Sequence, residues 1–589
     1  MYERSPLLVT RKYKEYLLSA ILMSSAVSLA TVVDSMLVGI LLGSTALSAV
    51  GLTAPVIYGI NLLFLLFCVG GLTSASIAKG RRDQKSADVF FTVSLIGSVV
   101  CTMIYAVVIW IVLDPLSASL SQGNAQVKML IKNYMRMIVL AGPLITIAFG
   151  LAQFNRADGK PKAAAVVALT SNAVNLVLDY VLIRYAGMGI AGAGLSTALG
   201  YVVGVGLVMP YLLSNKRTFH FTWPGRDFWA RLVRVLRIGL PKGLNQGTSL
   251  LRSMVLNAII MASLGSPGMA AMAVCINALA IATIFIGSAS DTMLPIIGTL
   301  YGEGDAVGIR GAVKTASRVM LIASTLIVLF FLSFPKVAGG WFGITSAQDL
   351  AVMIPALRMF ALSLPFFAMN NLLQNFYATT GREKLASAMA LLDGFIFVVL
   401  FALALTHIDG RLFWLCYLLS EIATLGAALL MGRRVRRKEP VHGMLLLHED
   451  EPGELWEVTI PADVEAATGV SKQIIEFGVR QGLSPVLANR MGLAVEEMAV
   501  NTAVHGADKN KGTSMDIRVR MTPLQLVISL RDNGIPFNPT VYEENGEEPF
   551  AIGGIAVARR IAAKTEYTHQ LGFNTTVLVF NREPSAVAL

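Results

Sequence analysis

The sequence is short of charge. Aspartate, glutamate, lysine and arginine make up only 14% of its 589 residues, while 55% are hydrophobic and the mean hydropathy is +0.64. A soluble domain normally carries roughly 25% charged residues, so a wholly soluble chain is excluded. Cysteine is scarce too: Cys68, Cys101, Cys275 and Cys416 all fall inside apolar stretches, none at a metal-ligand spacing. That excludes a disulfide framework or a zinc site and leaves them as packing residues. No G-x-x-x-x-G-K-[ST] loop occurs, so a P-loop ATP motor is not encoded. The first apolar run, which begins near Leu17 and contains Asp34, is not followed by a small-residue cleavage site and a soluble domain, which argues against a cleaved signal peptide.

What is present is a series of apolar stretches, each of roughly 20 residues and long enough to cross ~30 Å of hydrocarbon as a helix. The net charge of +11 is concentrated between them. Arg11, Lys12 and Lys14 precede the first stretch; Lys79, Arg81 and Arg82 follow the second; Arg156, Lys160 and Lys162 follow the fourth. Arg310 and Lys314 follow the eighth, Arg382 and Lys384 the tenth, and RRVRRK at 433–438 the twelfth, with the alternate loops nearly bare. This positive-inside alternation predicts about twelve spans in a plasma-membrane protein with both termini cytoplasmic, and it argues against a nucleic-acid partner for the basic residues.

The two halves superpose at a constant shift of 222 residues. Leu42-Gly43-Ser44 meets Leu264-Gly265-Ser266, and Gly80 meets Gly302; Pro143 meets Pro365, Phe154 meets Phe376 and Gly159 meets Gly381. A gapless register across loops and helices predicts two six-helix bundles as parallel repeats, residues 1–220 and 221–440, with a cavity between them. Between them RDFWARLVRVLRIG places Phe228, Trp229, Leu232, Val233 and Leu236 on one helical face. It reads as a separate interfacial helix or as an extension of the seventh span.

A carboxylate at mid-membrane costs roughly 2.5–3.5 kcal/mol on insertion scales and so needs a reason. Asp34 in VVDSMLVG and Asp179 in NAVNLVLDYVLI are the leading cases, and Asn175 lies one helical turn before Asp179 on the same face. Thr197 on the next span adds a hydroxyl. Two carboxylates, an amide and a hydroxyl suit sodium, or a proton held between coupled acids. At the shift of 222 their counterparts are Leu256, Phe397, Phe401 and Leu419, all apolar. A cluster needed only for packing would be expected in both halves, so the asymmetry points to a functional site. Asp291, Asp393 and Glu421 also lie within predicted spans, as cavity-lining or structural residues.

These stretches resemble the multidrug and toxic compound extrusion (MATE) transporters, nearest to their DNA-damage-inducible (DinF-like) branch. The resemblance covers roughly residues 10–435 and is carried by DSMLVGILLGSTALSAVGLTAP, GLTSASIAKGRRD, FNRADGKPK, the NLVLD spacing and GLPKGLNQ. It implies alternating access and export of small organic compounds, cationic ones among the candidates, by antiport with protons or sodium, with the cation site at Asp34, Asn175, Asp179 and Thr197. The seventh span reads KGLNQGTSLLR, without the acidic residue another branch carries there, so a second cation site is not implied. A lipid or lipid-linked-sugar flippase is the neighbouring alternative.

Near Pro440 the long apolar runs stop. A linker at 441–454 leads into a soluble domain at 455–589 with alternating strands and amphipathic helices. AVEEMAVNTAVHG should form a helix with Glu497, Asn501 and His505 on one face: a candidate base, an amide ligand for ATP-bound magnesium, and a histidine of either structural or nucleotide-contacting role. In RDNGIPFNP, Asp532 can accept from the adenine amino group and Gly534 lets the backbone approach the base. Gly553 and Gly554 precede a helix that would cradle phosphates. The ordered trio, closing with GFNTTVLVF, resembles the histidine-kinase-type ATPase fold, an α/β-sandwich, and in particular the anti-sigma-factor serine kinases. It implies ATP with magnesium, Thr575 or Thr576 toward the phosphates, and a regulatory protein partner or homodimer. Where that family continues GGLG this chain has Gly553-Gly554-Ile555-Ala556, which favours binding over catalysis. Two functions follow from the whole: an exporter regulated by ATP, or a membrane sensor whose soluble domain phosphorylates a partner serine.

Overall fold

The computed structural model describes all residues except 1–2, 122, 215–216, 342–345, 449–454, 508–511, 542–552 and 583–589. Much of the linker therefore lies outside the described residues. The chain divides into two compact units, one of Tyr13–Asp305 and Ala312–Leu446, the other of Leu447–Leu589 with Met1–Lys12 and Ala306–Gly311.

Among the described residues eleven helices are long and apolar enough to cross a membrane, and counting the bent pair Ala347–Ala361 and Leu364–Thr379 as one span gives twelve. Local chemistry sets their ends. Asp83 caps the third span (Gln84–Ile111), accepting from the Ser86 amide at 2.9 Å, and Asn124 caps the fourth (Ala125–Ala157). Pro161 opens the fifth at a position that needs no amide donor. Pro143 lies inside the unbroken fourth span, whereas its repeat counterpart Pro365 opens the second helix of the pair bent by 41°.

The repeat is visible in the backbone. Gly43 and Gly265 occupy positive φ, at 86° and 64°, and so do Gly159 and Gly381, at 91° and 77°. These two turns thus use a positive-φ glycine in both halves. Gly80 and Gly302 meet one another: a methyl built on Gly80 would lie 2.9 Å from the Gly302 Cα, and one on Gly302 would lie 2.8 Å from the Gly80 Cα. The same methyls would strike the carbonyls of Thr299 and Ile77, themselves repeat counterparts. The pseudo-twofold axis therefore passes between these two glycines, where the second and eighth spans cross backbone to backbone.

The stretch after the sixth span is not a separate interfacial helix. Helix runs without interruption from Phe228 into the seventh span, and the next break is Gly265. Its apolar face is also divided: Phe228, Leu232 and Leu236 pack on the core of the first half, while Trp229 and Val233 are exposed.

The soluble unit has a five-stranded antiparallel sheet of order β1-β2-β3-β5-β4, with β1 Leu455–Pro461, β2 Ser514–Met521, β3 Gln525–Asp532, β4 Lys564–Gln570 and β5 Phe573–Asn581. Helices Val464–Arg480, Pro485–Asn501 and Gly553–Ile561 share one core with Val458, Ile460, Ile517, Val519, Ile528 and Leu578 of the strands. Because strand side chains alternate, the neighbours of these residues form the opposite face, where register aligns Thr459, Asp516, Arg531 and Thr575 across four strands. The first twelve residues, allotted by the sequence to the first bundle, belong to this unit.

Candidate functional site

The four residues expected at the membrane site come together. Asn175 is central: its amide nitrogen lies 3.3 Å from Asp179 Oδ2, 3.4 Å from Ser196 Oγ and 3.3 Å from Thr197 Oγ1. The helical spacing of Asn175 and Asp179 stacks them on one face, and Ser196 and Thr197 approach from the sixth span (Ile190–Leu213). Asp179 is fully buried, and Ser196 donates a short hydrogen bond to its Oδ1. Asp34, from the first span (Leu7–Leu42), hydrogen-bonds with Asp179 through its side chain, while Asp34 Oδ1 is buried without a partner. Two carboxyls in such contact require a proton or a cation between them, and the orphaned oxygen offers a further ligand position. The donor set is therefore suited to a small hard cation or a shared proton.

The sequence reading missed Ser196. Its hydroxyl stands beside Thr197 in GLSTA, but serines that bond only their own helix are common in apolar spans, and nothing local marks this one.

Asp34, Asn175 and Thr197 line a cavity of about 510 Å³ together with Tyr134, Gln153 and Tyr201. Asp34 is the one charged side chain among its described lining residues. The other acids of the spans are placed elsewhere. Asp291 pairs with Lys242 at 2.8 Å, and Glu421 accepts from the Asn370 amide at 2.7 Å and hydrogen-bonds with Asp393.

In the soluble unit a pocket of about 150 Å³ is lined by Asn501, His505, Asp532, Asn574 and Thr576, among others. The helix carrying Asn501 ends there and a π-helical turn, Thr502–Gly506, follows, so Asn501 and His505 face the pocket together. Glu497, expected on the same face, abuts the start of the helix Gly553–Ile561 instead: a methyl on Gly554 would overlap its carboxylate. Gly553 opens that helix. Asp532 Oδ1 accepts from the Gly534 amide and from Asn574 Nδ2, both at 2.8 Å. Burial pushes the Asp532 carboxyl above its ordinary range, against the opposing effect of those two donors. A methyl at Gly534 would overlap the Gly506 carbonyl, so this turn accepts no larger residue without shifting.

One expectation is corrected. Thr576, not Thr575, faces the pocket, because Thr575 pairs with Arg531 on the other side of the sheet and Thr576 pairs with Leu530. Asn574 was also missed, since an asparagine in a strand has no recognisable role until its register is known. The pocket's acceptor, amide groups and close glycine turn fit a purine nucleotide.

Comparison with known proteins bears on both parts. The family model MatE matches residues 19–181 and again 241–403, two copies at the same shift of 222. A model described as Histidine kinase-like ATPase domain matches residues 460–580. Multidrug export protein MepA of Staphylococcus aureus (strain MSSA476) is 24% identical over 403 residues, covering 67% of this chain and 87% of its own. MepA of Staphylococcus haemolyticus (strain JCSC1435) is 24% identical over 371 residues, with coverages of 62% and 80%. Among solved structures, the Vibrio cholerae MATE transporter VcmN in its bent form superposes with a TM-score of 0.68 at 20% identity, covering 74% of this chain and 98% of its own. A MOP superfamily transporter from Pyrococcus furiosus gives 0.67 at 22%, with coverages of 73% and 96%. With its duplicated bundle matched in both halves and a histidine kinase-like ATPase domain behind it, the chain belongs to the MatE family of membrane transporters.

Proposed function

We propose that the membrane part is a multidrug exporter that exchanges protons or sodium for organic compounds, and that ATP bound to the fused domain regulates it rather than drives it. The cluster of Asp34, Asn175, Asp179, Ser196 and Thr197, opening on the 510 Å³ cavity, carries this reading. A cation entering it competes with a state that binds substrate, and mutually exclusive stabilisation couples the two fluxes. The cavity lining has one acid and no base among the described residues, which suits cationic or neutral cargo and counts against an anionic lipid-linked sugar.

Regulation is supported by the absence of a P-loop together with the nucleotide pocket at Asn501, Asp532, Asn574 and Thr576. Asn501 would hold magnesium on the phosphates. Glu497, the candidate base for a serine kinase, lies against Gly554 rather than in the pocket lining, which favours a bound signal over phosphoryl transfer to a partner. The basic alternate loops support a cytoplasmic side for the ATPase domain and for residues 3–12, which belong to one unit with it.

The test is export by purified protein in liposomes under an imposed proton or sodium gradient, with and without ATP on the side of the soluble domain. Gradient-driven export should vanish in Asp34→Asn, and any ATP effect should vanish in Asn501→Ala while gradient-driven export remains. Export by Asp34→Asn at the wild-type rate would overturn the coupling assignment.

A further inference from the structure

The face of the ATPase sheet that its helices leave uncovered is occupied by the beginning of the chain itself. Arg4 Nη1 lies 2.5 Å from Asp516 Oδ1, and Arg4 Nε lies 3.6 Å from Glu457 Oε2; the side chains of Arg4 and Asp516 are 5% and 1% exposed. Arg518 completes the row, 3.2 Å from Glu457. Main chain contributes as well: the Ser5 amide donates to Thr459 Oγ1 at 2.9 Å, and the Thr459 amide donates to the Glu3 carbonyl at 3.3 Å. Further along, Arg11 donates to the Gly512 carbonyl at 3.2 Å, and Lys12 Nζ stands 5.9 Å above the Phe573 ring. Pro6 is pressed against Gly311, where a methyl would overlap it.

The attachment is therefore a built one. A buried guanidinium placed between two carboxylates is costly to remove on one side only, because the buried Asp516 and the half-buried Glu457 each lose a charge-assisted contact. Its position relative to the nucleotide follows from strand alternation. Arg531 and Thr575 lie in the row beneath this segment, and their immediate chain neighbours Asp532 and Asn574 face the nucleotide pocket. Two strands thus present one residue to the pocket and the next to the segment. The helix that starts at Leu7 in this segment is the one that continues as the first span and carries Asp34.

We propose that residues Glu3–Lys12 are a strap, docked on the open face of the ATPase sheet through Arg4 and Asp516, through which nucleotide binding acts on the first transmembrane helix. The regulatory half of this rests on the reading of ATP as a signal; the docking half does not. Nucleotide held by Asp532 and Asn574 fixes the ends of β3 and β5, and so tightens the strap. By reciprocity an undocked strap weakens nucleotide binding by the same factor.

The experiment is amide hydrogen exchange on the full chain in lipid nanodiscs, with and without magnesium-ATP, paired with the liposome export assay. The variants are Arg4→Glu, Asp516→Arg and the charge-swapped Arg4→Glu/Asp516→Arg. Exchange over residues 3–12 and β1 should quicken at least tenfold in each single variant and return toward wild type in the swap, which guards against a variant that merely misfolds. In wild type ATP should slow exchange of the strap several-fold. In Arg4→Glu the ATP effect on export should disappear while export without ATP stays within twofold. Unchanged exchange in Arg4→Glu overturns the docking. Altered exchange with the ATP effect on export intact overturns the link to the first span. Wild-type export indifferent to ATP overturns the regulatory reading and the link with it, while the exchange data still decide the docking.

Discussion

Replacing Asp532 by asparagine should do more than weaken ATP binding; it should change which purine is preferred. Asp532 Oδ1 is already engaged by two donors, the Gly534 amide and Asn574 Nδ2, each at 2.8 Å. An asparagine must keep its carbonyl oxygen at that position, since its NH₂ there would face two donors. Its NH₂ group is therefore forced to where the second carboxylate oxygen stood, the oxygen available to the adenine amino group. An acceptor becomes a donor with little change in volume. The hydrogen bond lost involves a charged group and is worth about 1.5–3 kcal/mol, so ATP affinity should fall roughly 10- to 150-fold. A purine with a carbonyl at the same position, as in ITP or GTP, should lose far less or gain. Titration of the full chain in detergent or nanodiscs with a fluorescent nucleotide, displaced by ATP, ITP and GTP, reads this directly. Asp532→Asn that binds ATP within threefold of wild type, or that keeps the wild-type order of the three nucleotides, would refute the placement of adenine against Asp532.

The elevation of the Asp532 carboxyl by burial fixes a pH dependence of two opposite signs. Protonation removes the acceptor, so ATP affinity should decline as pH falls through a point above the ordinary carboxylate range. A folded-state value above the unfolded one means the native domain holds the extra proton, so this group's contribution to stability should be lost as pH rises through the same window, and Asp532→Asn should abolish both trends. Ser196→Ala removes the hydroxyl that donates to the buried Asp179 and should cost about 1–3 kcal/mol of stability, read as a lower melting temperature. It should also shift the cation concentration for half-maximal export with Asp34 intact; an unchanged concentration dependence would remove Ser196 from the site. Gly302→Ala forces apart the two backbones at the crossing and should destabilise by about 1–3 kcal/mol, with Gly80→Ala costing a similar amount. A difference of several-fold between the two would contradict the symmetry of the crossing.

The membrane half was legible because its signals are costly to fake. Long apolar runs, basic alternate loops and a shift of 222 each demand a physical cause, and acids at mid-membrane pointed to Asp34 and Asp179 without any knowledge of contacts. Ser196 was hidden since a hydroxyl in a span is inexpensive and ordinarily satisfied within its own helix. The stretch before the seventh span was left undecided for another reason: an amphipathic pattern records which faces differ, not whether the helix continues beyond it. In the soluble domain Asp532 and Gly534 were readable from a turn motif. The choice between Thr575 and Thr576 was not, because adjacent strand residues point to opposite faces and only pairing with β3 tells which is which. The strap was beyond local reading altogether, for Arg4 meets a partner more than five hundred residues away.

The meeting of Gly80 and Gly302 makes each of these residues part of the environment of its own duplicate. Most positions in a duplicated protein have drifted into unlike surroundings, where a larger residue in one copy can be accommodated by a smaller one in the other. At this crossing that exchange is closed, as glycine has nothing left to give up. Enlargement on either side has to be absorbed by moving whole spans, and with them the helices of both halves that pack around the crossing. The smallest side chains in the molecule thus set the distance at which its two halves meet.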